Sequence, residues 1–195
     1  MATVEAVVDL SAIGHNIGVL RERSGTAVMA VVKADGYGHG AVAVARSALG
    51  AGAAEIGVAT VDEALALRAG GITGPVIAWL HTPATDFAAA VRHDVEVVVS
   101  SPRQLAAVVA AADEAGRTAT VGVKWDTGLG RSGVGPDEWP ELRDALAKHV
   151  ASDAIVLRTA MTHLARGDEP AHPLNSRQAE LLDDRVAELH RWGVS

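Results

Sequence analysis

Short apolar runs rich in β-branched residues alternate with longer, alanine-rich segments of helical period along most of the chain. Continuous apolar runs are typical of strands buried on both faces, so the alternation predicts repeated strand–helix units around a parallel sheet, an α/β fold. An additional strand and helix, outside this repeat, are expected over residues 4–8 and 9–22. The repeat itself predicts six strands, over residues 27–32, 55–59, 75–79, 95–99, 119–124 and 154–161.

Residues typical of helix ends fall between the predicted strands. Thr60 followed by Glu63 predicts a capping box, in which each residue's side chain accepts a hydrogen bond from the other's backbone N–H. Ser101 before Pro102 predicts another helix start, and Gly116 lies where a helix should end. A last amphipathic helix is expected over residues 175–192. These signals support the strand–helix alternation independently of the apolar pattern.

Two architectures fit six strand–helix units. At about 28 residues a unit, two more units would bring the chain to the roughly 250 residues of an eight-unit TIM-type barrel. An open, doubly wound sheet accommodates six parallel strands without further residues. The length of 195 residues does not separate the two. No linker or low-complexity segment divides the chain, so one domain is expected.

Charge and cysteine content exclude several classes of function. With 17 basic and 24 acidic residues the net charge is -7, which argues against a nucleic-acid partner. The absence of cysteine excludes disulfides, thiolate metal sites and cysteine nucleophiles, and permits a cytoplasmic location. No secretory signal and no window of about 20 apolar residues is found, so no membrane association is expected.

The segment TAVMAVVKADGYGHG carries the strongest indication of chemistry. Its apolar strand ends at Lys33, where barrel enzymes place catalytic groups. Partial burial would lower the pKa of the lysine, and the neutral amine can then attack a carbonyl to form a Schiff base. The glycines that follow let the backbone approach a ligand, and the Tyr37 hydroxyl can donate to a phosphate. A lysine that merely extends from a strand end into solvent would not require these neighbours.

This segment resembles the pyridoxal-phosphate lysine motif of bacterial alanine racemases. KADGYGHG at residues 33–40 matches that motif, VKWDTGLGRSG at 123–133 matches the family's second signature, and MTHLA at 161–165 matches its third. Together with the D-E-A-L-x-L-R segment that begins at Asp62, the likeness covers essentially the whole chain. It implies the incomplete TIM-type (β/α) barrel rather than the open sheet.

The resemblance implies a role for each matching residue. Lys33 would bind pyridoxal phosphate covalently and act as the base on one face of the substrate Cα, and Tyr37 would hold the cofactor phosphate. Arg131 would contact the cofactor and the substrate carboxylate, which suits a planar guanidinium. His163 would belong to the hydrogen-bond network beneath the cofactor ring. Lys124 matches a lysine that is often carbamylated in the family and then pairs with Arg131.

Two other patterns in the sequence suggest different sites. Gly128, Gly130 and Gly133 spell G-x-G-x-x-G after a strand, as in a dinucleotide-binding fingerprint. The helix should open within that motif, but Gly135-Pro136 delays it, so no nicotinamide site is expected. The eight histidines form no H-E-x-x-H motif and accompany no carboxylate set, so no metal site is expected.

The family's reaction needs more than these residues. Interconversion of L- and D-alanine, which supplies D-alanine for peptidoglycan, requires acid–base groups on both faces of Cα. In the family the second group is a tyrosine from the C-terminal β-domain of the partner subunit in a homodimer, whereas the only tyrosine here is Tyr37. The expectation is therefore a truncated N-terminal barrel domain over residues 1–195, without the β-domain. Alternatives are a non-catalytic protein that binds pyridoxal phosphate and a racemase of the same fold for another amino acid.

Overall fold

The structure, a computed structural model, describes residues 4–191 in two compact units, whose boundary lies between Ala78 and Trp79. In each unit, parallel strands alternate with helices. Residues 192–195 lie outside the part of the chain that the structure describes, and the last predicted helix ends among them, at Trp192. Between residues 4 and 191, no helix combines the length and the apolar character that crossing a bilayer requires.

The first unit contains three parallel strands in the order of the chain, β1 (Met29–Val31), β2 (Glu55–Val58) and β3 (Val76–Ala78). Met29 in β1 pairs with Glu55 in β2, and Ile56 in β2 pairs with Val76 in β3. This register brings the carboxyl ends of the strands to one edge, where barrel enzymes carry their sites. The elements are α1 (Leu10–Ser24), β1 (Met29–Val31), α2 (Lys33–Gly38), α3 (Ala41–Gly50), β2 (Glu55–Val58), α4 (Val61–Ala69) and β3 (Val76–Ala78).

The second unit repeats this arrangement, with its strands in the order β4 (Val95–Val99), β5 (Ala119–Lys124) and β6 (Ile155–Met161). Val97 pairs with Val121, and Val121 pairs with Leu157, before a shift of register at Gly122. All five residues of β4 are buried. The elements are α5 (Phe87–Arg92), β4 (Val95–Val99), α6 (Pro102–Ala115), β5 (Ala119–Lys124), α7 (Trp139–Ala151), β6 (Ile155–Met161) and α8 (Pro173–Arg191).

The predicted repeat is confirmed, with strand ends that differ by at most a few residues. In both units the strand order follows the chain without the reversal of a doubly wound sheet, which favours the barrel-type arrangement. The capping box of Thr60 and Glu63 is present, Ser101 caps α6, and Gly116 ends α6 in the left-handed conformation. Local signals therefore located the helices well.

The separate strand predicted at residues 4–8 is wrong. These residues form neither helix nor strand, and Val4 and Val7 are 99% and 83% exposed. An extended segment becomes a strand only when its backbone groups pair with a neighbour, and no described strand pairs with it. The helix expected after it is confirmed as α1. The Asp9 carboxylate caps the start of this helix by accepting hydrogen bonds from Ser11 N and Ala12 N.

Candidate functional site

Lys33 follows β1, with Val32 between them, and begins a single turn of left-handed helix, α2. Ala34, Asp35, Gly36 and Tyr37 all have φ between 53° and 62°. For residues other than glycine this conformation costs about 1–2 kcal/mol each, because Cβ crowds the following carbonyl oxygen. Only Gly36 escapes that cost, so the turn needs support from its surroundings.

Backbone hydrogen bonds close this turn at both ends. Gly36 N–H donates to Val32 O at 2.8 Å, and Gly40 N–H donates to Asp35 O at 3.0 Å. The Asp35 carboxylate accepts from Ala41 N at 2.7 Å, which satisfies a donor at the start of α3. The turn is thereby joined to the strand before it and to the helix after it.

One further hydrogen bond ties the turn to a neighbouring element. Ala34 N–H donates to Glu63 Oε1 at 2.7 Å, while Glu63 Oε2 accepts from Ala59 N at 2.8 Å and Thr60 N at 3.2 Å. The N3 carboxylate of the capping box on α4 therefore also holds the residue after Lys33. Sequence reasoning predicted the capping box but neither the bond from Ala34 nor the bond from Ala59.

The Lys33 and Tyr37 side chains lie together, with Lys33 Nζ 5.7 Å from the centre of the Tyr37 ring. Lys33 is half-buried and Tyr37 is 69% exposed. Within residues 4–191, Lys33 Nζ makes neither a hydrogen bond nor an ion pair. The cation–π contact restrains the amine without engaging its nitrogen in a hydrogen bond.

In the second unit, Arg131 lies in a loop that leaves the carboxyl end of β5. Val134 N donates to Lys124 O at 2.8 Å and Asp126 N donates to Val134 O at 3.2 Å, so the loop is pinned at its base. A Cβ on Gly133, where φ is 127°, would lie 2.3 Å from Asp126 N. This close approach explains one glycine of the G-x-G-x-x-G pattern.

The loop geometry does not support the dinucleotide interpretation. The helix after the glycines, α7, begins only at Trp139, so its N-terminus does not start within the motif. Instead, Asp126 Oδ1 accepts from Gly128 N and Gly130 N, both at 3.0 Å. The Gly130 bond is the largest of the effects that hold the pKa of Asp126 below its usual value. Glycine here allows a tight loop that presents Arg131.

Arg131 is exposed, and within residues 4–191 its guanidinium donates no hydrogen bond. Lys124, at the end of β5, is only 2% exposed and its Nζ donates to Ser132 Oγ at 2.9 Å. Burial, and then the charge of Arg131, lower the pKa of Lys124, while Asp126 partly offsets them. Two cations therefore share this end of β5, one buried and one exposed.

A fully buried glutamine from α8 joins the segments that follow β5 and β6. Gln178 Nε2 donates to Thr127 Oγ1 and to the carbonyl of His163, both at 3.1 Å, and its Oε1 accepts from Ala165 N at 2.8 Å. The Thr127 and Thr162 hydroxyls share a further bond of 2.7 Å. Gln178 thus fixes the backbone of His163, whose side chain is exposed, relative to the loop of Arg131.

The structure places the predicted residues in two groups, each at the carboxyl ends of strands. Lys33 and Tyr37 lie together in the first unit. In the second unit Lys124 is the last residue of β5, and Arg131 and His163 follow β5 and β6. Sequence reasoning did not identify Gln178 as part of the second group. The only available signal was a polar residue near the start of an amphipathic helix, which is also what a solvated face predicts.

An ion pair between a buried carboxylate and an exposed guanidinium was also missed in the second unit. Glu96, in β4, is 3% exposed and accepts from the guanidinium of Arg158 in β6. A Cβ on Gly122 would lie 3.0 Å from Glu96 Oε1, so the absence of a side chain at Gly122 makes room for the carboxylate. Nothing in the apolar run of β4 indicated a charged pair, because one acidic residue within a strand is also typical of an exposed edge.

Comparison with known proteins gives a consistent result. The family model described as "Alanine racemase, N-terminal domain" matches residues 8–195. The chain is 58% identical over 195 residues to the alanine racemase of Mycolicibacterium smegmatis, covering all of this chain and 50% of that protein. It is 60% identical over 191 residues to the alanine racemase of Mycobacterium ulcerans, covering 97% of this chain and 49% of that protein. The chain spans about half the length of the curated relatives it matches.

Solved structures show the same likeness. The crystal structure of alanine racemase from D-cycloserine-producing Streptomyces lavendulae superposes with a TM-score of 0.93 at 44% identity, over 96% of this chain and 50% of that one. The Bacillus anthracis alanine racemase with bound L-Ala-P gives a TM-score of 0.84 at 33% identity, over 96% and 48%. The chain therefore has the strand–helix arrangement of part of the barrel in those proteins.

Proposed function

The chain belongs to the alanine racemase family, and on that premise we propose that it forms the cofactor-binding part of an enzyme that interconverts L-alanine and D-alanine. The family depends on pyridoxal phosphate. Supply of D-alanine for peptidoglycan, a cytoplasmic location and assembly as a homodimer belong to the same proposal. The 195-residue chain is proposed as one part of the active protein because its relatives are about twice as long.

The residues of the first unit fit this cofactor. The observation that carries the proposal is the Lys33 amine, which lies at the carboxyl end of β1 without a hydrogen bond from residues 4–191 and against the Tyr37 ring. An amine held in this way is available to a cofactor aldehyde, and the exposed Tyr37 hydroxyl can donate to its phosphate. We therefore propose Lys33 and Tyr37 as the residues that hold it.

The second unit supplies matching chemistry for an anionic substrate. The exposed Arg131 guanidinium can donate two parallel hydrogen bonds to a carboxylate, and the pinned loop limits its motion. His163 is proposed to contribute to the hydrogen-bond network beneath the cofactor. Lys124 is proposed to be carbamylated by CO₂, which bonds to the neutral amine as one proton is lost to solvent. The lowered pKa of Lys124 increases the fraction of neutral amine, and the anionic carbamate would pair with Arg131. Native mass spectrometry of the purified protein at neutral pH, where the acid-labile carbamate persists, tests this modification, with a Lys124→Met variant as control.

When bound, pyridoxal phosphate would withdraw electrons from the substrate Cα and so make its proton more acidic. The Lys33 amine is then proposed to take and return that proton on one face of Cα. The opposite face requires a second acid–base group. Since Tyr37 is the only tyrosine and is assigned to the phosphate, we propose that this group comes from outside these 195 residues, in the partner's β-domain.

Covalent trapping tests the central assignment. The chain contains only three lysines, Lys33, Lys124 and Lys148. Borohydride reduction in the presence of pyridoxal phosphate, followed by peptide mapping, should place the pyridoxyl group on Lys33. A Lys33→Ala variant should lose the adduct and Lys148→Ala, at an exposed site, should keep it. Labelling mainly at Lys124 or Lys148 would contradict the proposal.

Activity measurements separate the remaining alternatives. In a coupled assay for D-alanine, the purified chain should be slower than the full-length M. smegmatis enzyme by at least about 10²- to 10⁴-fold, the usual cost of one missing acid–base group. Turnover within about tenfold of that enzyme would contradict the two-base argument. A panel of other amino acids would detect a different substrate. Trapping at Lys33 without turnover on any amino acid, even with a tyrosine-bearing β-domain supplied, would indicate a non-catalytic protein.

A further inference from the structure

We propose that Glu63 is a positioning residue for Lys33: its carboxylate maintains the left-handed turn that presents the lysine amine. This inference rests on the proposed function, because it assigns a purpose to the orientation of Lys33. Glu63 lies on α4, and its two oxygens accept hydrogen bonds from backbone groups of two different strand ends. Oε1 accepts from Ala34 N at 2.7 Å, whereas Oε2 accepts from Ala59 N at 2.8 Å.

The position of the Ala34 bond makes it important. Ala34 is the residue after Lys33 and the first of the left-handed residues, with φ of 53° and ψ of 47°. As a non-glycine residue it would be more stable in an ordinary conformation, and relaxing there would redirect the chain just beyond the lysine. A short bond from its N–H to an ionised carboxylate opposes this relaxation, since charge-assisted hydrogen bonds are the stronger kind.

The carboxylate is itself held in place. Glu63 N donates to Thr60 Oγ1 at 3.2 Å, and Glu63 Oε2 also accepts from Thr60 N, which completes the capping box at the start of α4. The helix dipole favours a negative charge at this end. A capping box needs only one oxygen of the N3 side chain. The second oxygen is therefore free to accept the hydrogen bond from the lysine turn.

Two substitutions distinguish the two roles of the Glu63 side chain, which are to cap the start of α4 and to accept the hydrogen bond from Ala34 N. In Glu63→Gln, the side-chain oxygen can still accept the hydrogen bonds from Ala59 N and Thr60 N. The amide NH₂ then faces the Ala34 N–H, and two donors cannot form a hydrogen bond with each other. Thr60→Ala does the reverse, since it removes the bond to Glu63 N and leaves both carboxylate oxygens in place. Both variants weaken the start of α4, but only Glu63→Gln breaks the hydrogen bond from Ala34 N in the lysine turn.

Amide hydrogen exchange of the purified chain without cofactor measures how well the hydrogen bond to Glu63 protects the Ala34 N–H. The Ala34 amide should exchange at least about tenfold faster in Glu63→Gln than in the wild type, since loss of one charge-assisted bond is worth about a factor of ten. In Thr60→Ala its rate should change by less than about threefold. Equal acceleration in the two variants, or none in Glu63→Gln, would overturn the inference.

The reactivity of Lys33 is the second measurement. At a fixed concentration of pyridoxal phosphate, Glu63→Gln should form the borohydride-trapped Lys33 adduct about tenfold more slowly than Thr60→Ala, with both variants shown to be folded by circular dichroism. Equal rates would overturn the positioning role. If wild-type Lys33 forms no adduct, the proposed function fails, whereas the exchange rates of Ala34 still decide whether Glu63 holds the turn.

Discussion

The lysine turn of the first unit and the Arg131 loop of the second both follow a parallel strand, and both are held by one polar side chain from a helix. The two side chains differ in charge and in burial. Glu63 is an ionised, half-buried acceptor of three backbone N–H bonds, whereas Gln178 is neutral, fully buried and both donates and accepts. The bonds required explain the difference, because a carboxylate cannot donate to the Thr127 hydroxyl and the His163 carbonyl.

The burial of Glu63 and of Gln178 agrees with the hydrogen bonds that each side chain makes. Burying an unpaired carboxylate is costly, so Glu63 lies where solvent and the start of α4 stabilise its charge. A neutral amide can be buried without a large penalty when each of its groups is bonded, as those of Gln178 are. The comparison indicates that the second region gains rigidity from burial, whereas the first depends on a charge at the surface and stores backbone strain.

The largest expected effect comes from Gln178→Leu, which keeps approximately the side-chain volume but removes the hydrogen bonds to Thr127 Oγ1, the His163 carbonyl and the Ala165 N–H. We expect the free energy of unfolding to fall by about 3 kcal/mol, because the variant loses three hydrogen bonds of a fully buried side chain, each of which contributes about 0.5–1.5 kcal/mol. Urea denaturation measures this. Arg177→Leu, at the exposed neighbouring position, should change the value by less than about 0.5 kcal/mol. Equal effects would mean that the buried amide does not stabilise the second region.

A smaller effect is expected where α8, the helix that carries Gln178, is anchored to α7. Glu188 accepts hydrogen bonds from Trp139 Nε1 at 2.8 Å, Arg143 Nη1 at 2.9 Å and Arg185 Nη1 at 3.0 Å. Burial alone would raise the pKa of Glu188, but these bonds outweigh it and the pKa lies below the usual 4.5. Because the pKa of Glu188 is lower in the folded chain than in the unfolded chain, the unfolded chain takes up a proton at this residue at a higher pH than the folded chain does.

The Glu188 carboxylate therefore stabilises the fold fully above about pH 5, and that contribution is lost as the pH falls through the native pKa. Glu188→Gln should reduce the free energy of unfolding by about 1–2 kcal/mol at pH 7. The deficit should narrow as the pH falls below about 5 and through the lowered native pKa. Glu180→Gln, an exposed position on the same helix, is the control and should show neither change. A deficit independent of pH would exclude the ionised carboxylate as its cause.

The smallest expected effect concerns the strain in the first region. Ala34→Gly removes the Cβ penalty of the left-handed conformation, about 1–2 kcal/mol, and adds the entropy cost of glycine, about 0.5–1 kcal/mol. We expect a net gain in the free energy of unfolding of about 0.5 kcal/mol, measured by urea denaturation. The same change at Ala66, exposed in the right-handed helix α4, should instead cost about 1 kcal/mol. A loss at both positions would show that the turn is not strained at Ala34.

Much of this protein follows from local sequence. The apolar runs indicate the six strands, because strands buried on both faces are mostly apolar, and the pair Thr60 and Glu63 indicates a helix start because the hydrogen bonds of a capping box are local. Lys33 is identifiable as a site residue for the same reason, since its strand and the glycines after it are contiguous in the chain. The prediction failed at residues 4–8, where strand formation depends on a distant partner.

What only the tertiary structure decided depends on groups far apart in the chain. The left-handed course of residues 34–37 does not follow from their types, because three of the four prefer other conformations and are stabilised by contacts such as that with Glu63, 29 residues away. The bonds of Gln178 to Thr127 and His163 likewise join segments that meet only when α8 packs in the second unit. A sequence records which side chains can donate or accept, whereas folding determines which of them meet.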